Sequence, residues 1–122
     1  MAPIRSIVYT TLQRWPTRPC RLFFGCRTQR DVFYFREFKN LERKHAGFRA
    51  TYAVSNPQKG EKWDGETGHV HRAVDKYLEA GPNRQAFLCG PAEMIEAVME
   101  VLRDKGLTES DWFYEEFESY GR

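Results

Sequence analysis

Apolar residues recur along the chain with two spacings, one typical of helices and one typical of strands. Apolar positions three and four residues apart predict helices over residues 4–12, 28–44, 70–78 and 92–105. Short apolar runs bounded by glycine, proline or polar residues predict strands over residues 21–25, 48–54, 85–89 and 111–117. Because helices and strands alternate, the pattern predicts one α/β domain with a doubly wound, mostly parallel sheet.

Individual residues set the expected ends and buried faces of these elements. Thr28 and Asp31 form a capping-box pattern that opens the second helix, and Gly81 with Pro82 ends the third. A polar loop follows the second strand and runs to Gly68. The second helix is expected to bury Val32, Phe35, Phe38 and Leu41. In the third helix, the clearest helical stripe in the chain consists of Val70, Ala73, Val74, Tyr77 and Leu78.

Composition narrows the class of protein without identifying a ligand. The 122 residues are 41% hydrophobic and 15% aromatic, which excludes a disordered chain. Nineteen basic and seventeen acidic residues leave a net charge of +2, too small to indicate a nucleic-acid partner. Three cysteines without Cys-x-x-Cys spacing favour a reducing compartment, and no apolar run approaches a membrane span of about 20 residues. We therefore expect a cytoplasmic protein.

The segment Cys89-Gly90-Pro91 joins a predicted strand directly to a predicted helix. Proline is favoured in the first turn of a helix, and glycine lets a ligand approach the backbone closely. In open α/β sheets, ligands bind at the carboxyl ends of the strands and near helix N-termini. The sequence therefore predicts a binding site at this turn, although a buried cysteine in an ordinary strand-to-helix connection fits the same pattern.

Several motifs, taken in order, resemble the nicotinamide-nucleotide-binding domain of the ferredoxin–NADP reductase family. The likeness is greatest to bacterial members such as the F subunit of the sodium-translocating NADH:quinone reductase and the reductase components of oxygenases. The matching segments, which cover nearly the whole chain, are Ala2-Pro3-Ile4-Arg5-Ser6, Gly25-Cys26-Arg27-Thr28, Trp63 to Gly68, Cys89-Gly90-Pro91 and Phe117.

This resemblance implies a role in electron transfer. NADH would give a hydride to FAD, which would sit in a flavin-binding domain or on a partner chain, and FAD would pass electrons to a downstream acceptor. A partner complex would then associate the protein with a membrane. The implied cofactor-binding residues are Pro3, Arg5, Ser6, Arg27, Thr28, Ser55, Asn56, Lys62, Trp63, Cys89, Gly90 and Pro91, and the implied catalytic residues are Cys89, Glu116 and Phe117.

Within the resemblance, individual positions carry specific expectations. Cys89 would lie near the nicotinamide, and Phe117 would cover the flavin ring. Asn56 stands where NADP-preferring members carry arginine, which favours NAD over NADP. Simpler readings remain open, because Arg27 and Lys62 also suit a solvated surface. His69 and His71 begin a helix, and we expect no metal site because a third ligand is not evident.

The chain also departs from the family pattern. The family places a Gly-Thr-Gly segment and a strand before Ala-Pro-Ile-Arg-Ser, whereas here Met1 precedes Ala2. We therefore expect residues 1–122 to be an NAD(P)-binding domain without its first strand and without a flavin-binding domain. The strands at 21–25 and 85–89 would then pair directly, or a partner chain would supply the missing strand. Strand edges with unpaired backbone groups tend to associate, so a homodimer is also expected. The alternative function is a nucleotide-free α/β fragment that acts as a subunit or interaction module.

Overall fold

A computed structural model describes residues 2–16, 18–32, 34–80 and 85–116. The chain forms four helices and five strands over these residues, with a 3₁₀ turn at Gln29–Asp31 and another at Glu109–Asp111. In chain order the elements are α1 (Ala2–Arg14), β1 (Cys20–Cys26), α2 (Phe35–Lys44), β2 (Phe48–Val54), β3 (Glu66–Thr67), α3 (Val70–Tyr77), β4 (Ala86–Gly90), α4 (Ala92–Asp104) and β5 (Trp112–Glu116). None of the described helices is both long and apolar enough to traverse a bilayer.

The strands form two parallel sheets rather than one. β1, β2 and β3 form the first sheet in that order, and β4 pairs with β5 in the second. The predicted class, α/β with mostly parallel strands, is confirmed. The expectation that β1 pairs directly with β4 is wrong, because among the described residues β1 is bonded only to β2 and β4 only to β5.

Helices cover the first sheet on both faces. On one face, α1 and α2 pack against β1 and β2 through a buried cluster, namely Val8, Leu12, Leu22, Phe38, Leu41, Phe48, Ala50 and Tyr52. On the other face, α3 and α4 form a second cluster with both sheets, which contains Ala53, Val70, Ala73, Val74, Val98, Leu102, Leu107 and Trp112. Each large apolar side chain buried in this way contributes about 1.5–3 kcal/mol. Side chains of β1 and β2 point alternately to the two faces of the sheet, and helices bury both faces, so the arrangement is doubly wound.

The helix expected over residues 28–44 is broken. The capping box forms as predicted, since Asp31 accepts hydrogen bonds from the Thr28 backbone N–H at 3.2 Å and hydroxyl at 2.9 Å. It closes only a 3₁₀ turn, because Val32 is extended and Tyr34 adopts a left-handed conformation with φ of 57°. The second helix therefore begins at Phe35.

Two aromatic residues of the helical stripes are exposed. Phe35 is 43% exposed, so its predicted burial is wrong, and Tyr77 at the end of α3 is 44% exposed. Phe35 lies in the first turn of its helix. The centroid of its ring is 5.0 Å from that of the Tyr52 ring and 6.2 Å from that of the Trp63 ring. Tyr77 donates a hydrogen bond of 2.5 Å to Glu66 in β3. That two-residue strand was not predicted from the sequence.

A carboxylate between two helices holds α1 against α2. Glu37 accepts hydrogen bonds from Arg5 Nε at 2.9 Å and from the Tyr9 hydroxyl, and Arg5 also lies over the Tyr9 and Tyr34 rings. The hydrogen bond from Tyr9, followed by those from Arg5, lowers the pKa of Glu37 below its ordinary value of 4.5. The first turn of α1 is thereby fixed beside Tyr34, near the carboxyl end of β1.

Gly25 allows α3 to pack directly on β1. A Cβ atom at this position would lie 2.6 Å from the Cβ of Val70, the first residue of α3. Valine is branched at Cβ and attached close to its backbone, so it cannot move away without shifting the helix. The contact therefore fixes where α3 begins.

We expect Gly25→Ala to reduce the free energy of unfolding by about 1–3 kcal/mol, the usual cost of overpacking a core. Gly90→Ala is the matched control, because its Cβ would meet the mobile Met94 methyl at 2.1 Å, a group that can rotate away. Urea denaturation of both variants measures the difference. Equal losses in the two variants would contradict the role assigned to Val70.

Glu37→Gln should destabilise the protein at neutral pH and have little effect in acid. The pKa of Glu37 is lower in the folded than in the unfolded protein, so its stabilisation is present above the unfolded pKa. That stabilisation is lost as the pH falls through the folded pKa, which lies below the ordinary value of 4.5. Unfolding measured from pH 7 to pH 3 tests this, with Glu100→Gln on the exposed face of α4 as control. A destabilisation independent of pH would refute the ionic contribution.

Candidate functional site

Backbone hydrogen bonds join the carboxyl ends of β1 and β2. The Ser55 N–H donates to the Cys26 carbonyl at 3.0 Å, and the Asn56 N–H donates to the Arg27 carbonyl at 2.7 Å. These bonds bring four predicted site residues together, since Thr28 follows Arg27 directly. We call residues 27, 28, 55 and 56 the carboxyl ridge. The side chains of Arg27 and Asn56 are exposed on it.

The side chains beneath this ridge are structural. The Thr28 hydroxyl is engaged by Asp31, and the Cys26 thiol donates a hydrogen bond of 3.3 Å to the Thr28 carbonyl. Burial, with a smaller contribution from Asp31, raises the pKa of Cys26 to about 11. Cys26 therefore stays a protonated thiol at neutral pH, unsuited to nucleophilic chemistry.

The first turn of α1 carries three predicted site residues, Pro3, Arg5 and Ser6. Ser6 is exposed, whereas Arg5 is bound to Glu37 with its Nη2 atom 2.8 Å from the carboxylate. An arginine paired in this way presents less positive charge to an anion than a free one does. Arg5 therefore links α1 to α2 through its ion pair with Glu37.

The register of β4 and β5 identifies a neighbour of Cys89 that the sequence did not. Glu115 lies directly opposite Cys89, and Glu116 lies opposite Gly90. Because alternate residues of a strand point to opposite faces, the Cys89 and Glu115 side chains share one face and Glu116 points to the other. No periodic signal distinguishes two consecutive glutamates, so only strand pairing could select Glu115. Phe117 lies outside the described residues.

Pro91 begins α4 at the carboxyl end of β4. It occupies the N-cap position, and its carbonyl accepts a hydrogen bond from the Ile95 N–H at 3.1 Å. The first turn of a 13-residue helix therefore presents backbone N–H groups beside Gly90, where a helix dipole favours an anion. Glu93 in the same turn adds an opposing charge.

Lys62 and Trp63 lie elsewhere, at the outer edge of β2. They line an open cavity of about 690 Å³ together with Phe35 and Tyr52. The Trp63 indole donates a hydrogen bond of 2.9 Å to the Glu66 carbonyl. Residues of β2 and β3 line this cavity, whereas Cys89 belongs to β4 in the other sheet, so the structure does not bring Lys62 and Trp63 together with Cys89 in one sheet.

The sequence matches a known family and several known proteins. Residues 1–100 match the family model described as the oxidoreductase NAD-binding domain. The F subunit of the Na(+)-translocating NADH-quinone reductase of Pasteurella multocida is 33% identical over 96% of this chain, and its counterpart in Pseudoalteromonas atlantica is 32% identical over the same share. The chain spans 30% of the length of each.

Solved structures show the same fold. The Amycolatopsis cytochrome P450 reductase GcoB superposes with a TM-score of 0.84 at 26% identity, over 95% of this chain and 34% of its own. The cytochrome b5 reductase domain of Ulva prolifera nitrate reductase superposes with a TM-score of 0.79 at 20% identity, over 93% of this chain and 44% of its own. The predicted resemblance is confirmed, and the chain belongs to the oxidoreductase NAD-binding domain family.

Proposed function

We propose that residues 1–122 form an NAD(P)-binding module that positions a reduced nicotinamide nucleotide for hydride transfer to a flavin. The observation that carries the proposal is the pairing of Cys89 with Glu115 immediately before the Gly90-Pro91 turn and the N-terminus of α4. The carboxyl ridge supplies a second set of polar groups at the ends of β1 and β2. Family membership supports the same class of ligand.

The described residues fit the anionic centre of a dinucleotide. The first-turn N–H groups of α4 and the exposed Arg27 are suitable donors for a pyrophosphate. Gly90 has no side chain, so a ligand could approach the backbone of this turn closely. Arg5 and Ser6 would contribute less, since Arg5 already binds Glu37.

The nicotinamide end would lie against Cys89 and Glu115. When bound, NADH supplies a hydride and FAD accepts it. The Cys89 sulfur offers a polarisable surface to a planar ring, and the Glu115 carboxylate is an acceptor for the carboxamide N–H groups. These two side chains would therefore orient the ring rather than react with it. Glu116 and Phe117 remain predicted catalytic residues.

The adenosine end would lie towards Ser55 and Asn56, with Lys62 and Trp63 beyond them. Asn56 is exposed and uncharged, and it lacks the fork of donors with which arginine binds a phosphate. We therefore propose NADH rather than NADPH as the preferred nucleotide.

The proposed activity requires partners beyond these residues. FAD would be held by a flavin-binding domain or chain. An acceptor would receive the electrons, and the names of the reductase relatives include a quinone and a cytochrome P450. We propose a cytoplasmic location, with membrane association only through such a partner. A homodimer remains a prediction.

A second candidate function is an α/β interaction module that binds no nucleotide. The Arg5–Glu37 pair favours it, because this pair neutralises one of the cations expected to bind phosphate. Nucleotide titration distinguishes the two functions.

The purified chain should bind NADH with a dissociation constant below about 1 mM in calorimetric titration. Arg27→Ala should weaken binding about tenfold, the effect of losing one charge-assisted hydrogen bond. Arg14→Ala, in the last turn of α1 at the other end of the helix, is the control. If the chain shows no saturable binding of NADH or NADPH, the interaction module is correct and the nucleotide site is not.

Asn56→Arg should shift preference towards NADPH by about tenfold, since a guanidinium at the ridge would pair with the 2′-phosphate. The ratio of the two dissociation constants measures the shift. Asn40→Arg adds the same charge to the exposed surface of α2 and should leave that ratio unchanged. An equal shift in both variants would mean that the net charge of the protein, and not the position of the arginine, determines the preference between NADH and NADPH.

A further inference from the structure

The loop that follows β2 is held in place by hydrogen bonds rather than by burial. We call residues 55–62 the adenosine loop, because it includes three of the residues assigned above to the adenosine end of the nucleotide. Residues 56–60 are exposed, and Gly60 turns the chain with a positive φ of 82°. Pro57 is the one apolar side chain of the loop. A segment without buried apolar contacts opens easily unless polar groups from elsewhere bind its backbone.

Gln29, in the turn after β1, binds this loop with both ends of its side-chain amide. Its Oε1 atom accepts a hydrogen bond from the Gln58 N–H at 2.9 Å. Its Nε2 atom donates to the Gln58 and Glu61 carbonyls, each at 3.4 Å. The Gln58 side chain in turn donates to the Asn56 carbonyl at 3.1 Å. One amide therefore satisfies a backbone donor and two backbone acceptors of the loop, and its partner Gln58 extends the network to Asn56.

The neighbouring Arg30 adds a second connection to the same loop. Its Nε atom donates to the Glu61 carboxylate at 3.0 Å, and its Nη2 atom lies 2.8 Å from the same oxygen. The Arg30 side chain is 79% exposed, and ion pairs in contact with water contribute little to stability. Gln29 is therefore the stronger of the two connections.

The turn that carries Gln29 is fixed by its own hydrogen bonds. The Asp31 N–H donates to the Thr28 carbonyl at 3.0 Å, and the Asp31 carboxylate accepts from the Thr28 hydroxyl at 2.9 Å. The start of the adenosine loop is fixed separately, by the bond of 2.7 Å from the Asn56 N–H to the Arg27 carbonyl. The loop is thus attached to the segment after β1 at its start through Arg27 and in its middle through Gln29.

We propose that Gln29 is a positioning residue for the adenosine end of the nucleotide. It acts through the adenosine loop, because it holds the segment between Asn56 and Lys62 in one conformation before the ligand arrives. A loop that is already ordered loses less conformational entropy on binding, which raises affinity. The inference rests on the proposed nucleotide site and adds to it a residue that sequence spacing does not select, since Gln58 lies 29 positions away.

Gln29→Met tests the proposal, because methionine has a similar length and flexibility but cannot make these amide hydrogen bonds. Without nucleotide, the Gln58 amide should exchange with solvent about tenfold faster, as measured by NMR. The dissociation constant for NADH should rise about two- to tenfold, the effect of losing a neutral hydrogen bond.

The amide resonances also show which end of the nucleotide is affected. At saturating NADH, the chemical-shift change at Gly90 should equal that of the unsubstituted chain, whereas the change at Asn56 should be smaller. Gln13→Met is the matched control, because it removes an exposed amide from α1. It should alter neither the exchange of Gln58, nor the affinity for NADH, nor either chemical-shift change.

Four results would overturn the inference. Unchanged exchange at Gln58 in Gln29→Met would show that Gln29 does not hold the loop. Faster exchange with unchanged affinity for NADH would exclude the loop from the nucleotide site and leave the proposed function intact. Equal loss of the chemical-shift changes at Gly90 and Asn56 would indicate a general disturbance rather than positioning of one end. Failure of the unsubstituted chain to bind NADH would refute the proposed function itself, and this inference with it.

Discussion

The parallel pairing of β1 with β2 is the constraint on which the rest of the structure depends. Seven consecutive residue pairs, from Cys20 opposite Phe48 to Cys26 opposite Val54, align the carboxyl ends of the two strands. That register places Arg27 beside Asn56 and brings Val70 onto Gly25. A shift of one residue would turn Leu22 and Tyr52 out of one core and abolish both contacts. The pairing of β1 with β2 therefore determines the geometry of the candidate site.

The elements that the sequence predicted well are those in which local and tertiary preferences agree. β2 was predicted with its observed ends, because residues 48–54 combine β-branched and aromatic side chains with burial on both faces. The break before α2 was not predictable, since it depends on a left-handed Tyr34 that no propensity favours. Phe35 looked like a core residue by spacing, yet it lies at the start of its helix, over the edge of the sheet.

The candidate site shows the same division between local and long-range information. Cys89, Gly90 and Pro91 could be selected because a strand-to-helix turn is a local pattern. Glu115 could not, because its position beside Cys89 depends on pairing between strands more than twenty residues apart. Arg5 was expected to bind the cofactor, and that expectation took no account of Glu37, a residue 32 positions away. Sequence spacing identifies candidate binding residues, whereas long-range contacts decide which of them are already bonded to other side chains.

Two side chains of α2 limit where another strand could be added to the first sheet, because they bond to the backbone of Ala50. Lys39 and Glu42 occupy the backbone groups through which another strand would otherwise extend the first sheet outwards at that residue. A sheet that can extend at both edges can propagate without limit, whereas one closed along one edge cannot add strands in that direction. At Ala50 a strand of another molecule would therefore find neither a free backbone donor nor a free acceptor, and the Lys39–Glu42 ion pair on α2 protects this part of β2 against edge-to-edge association.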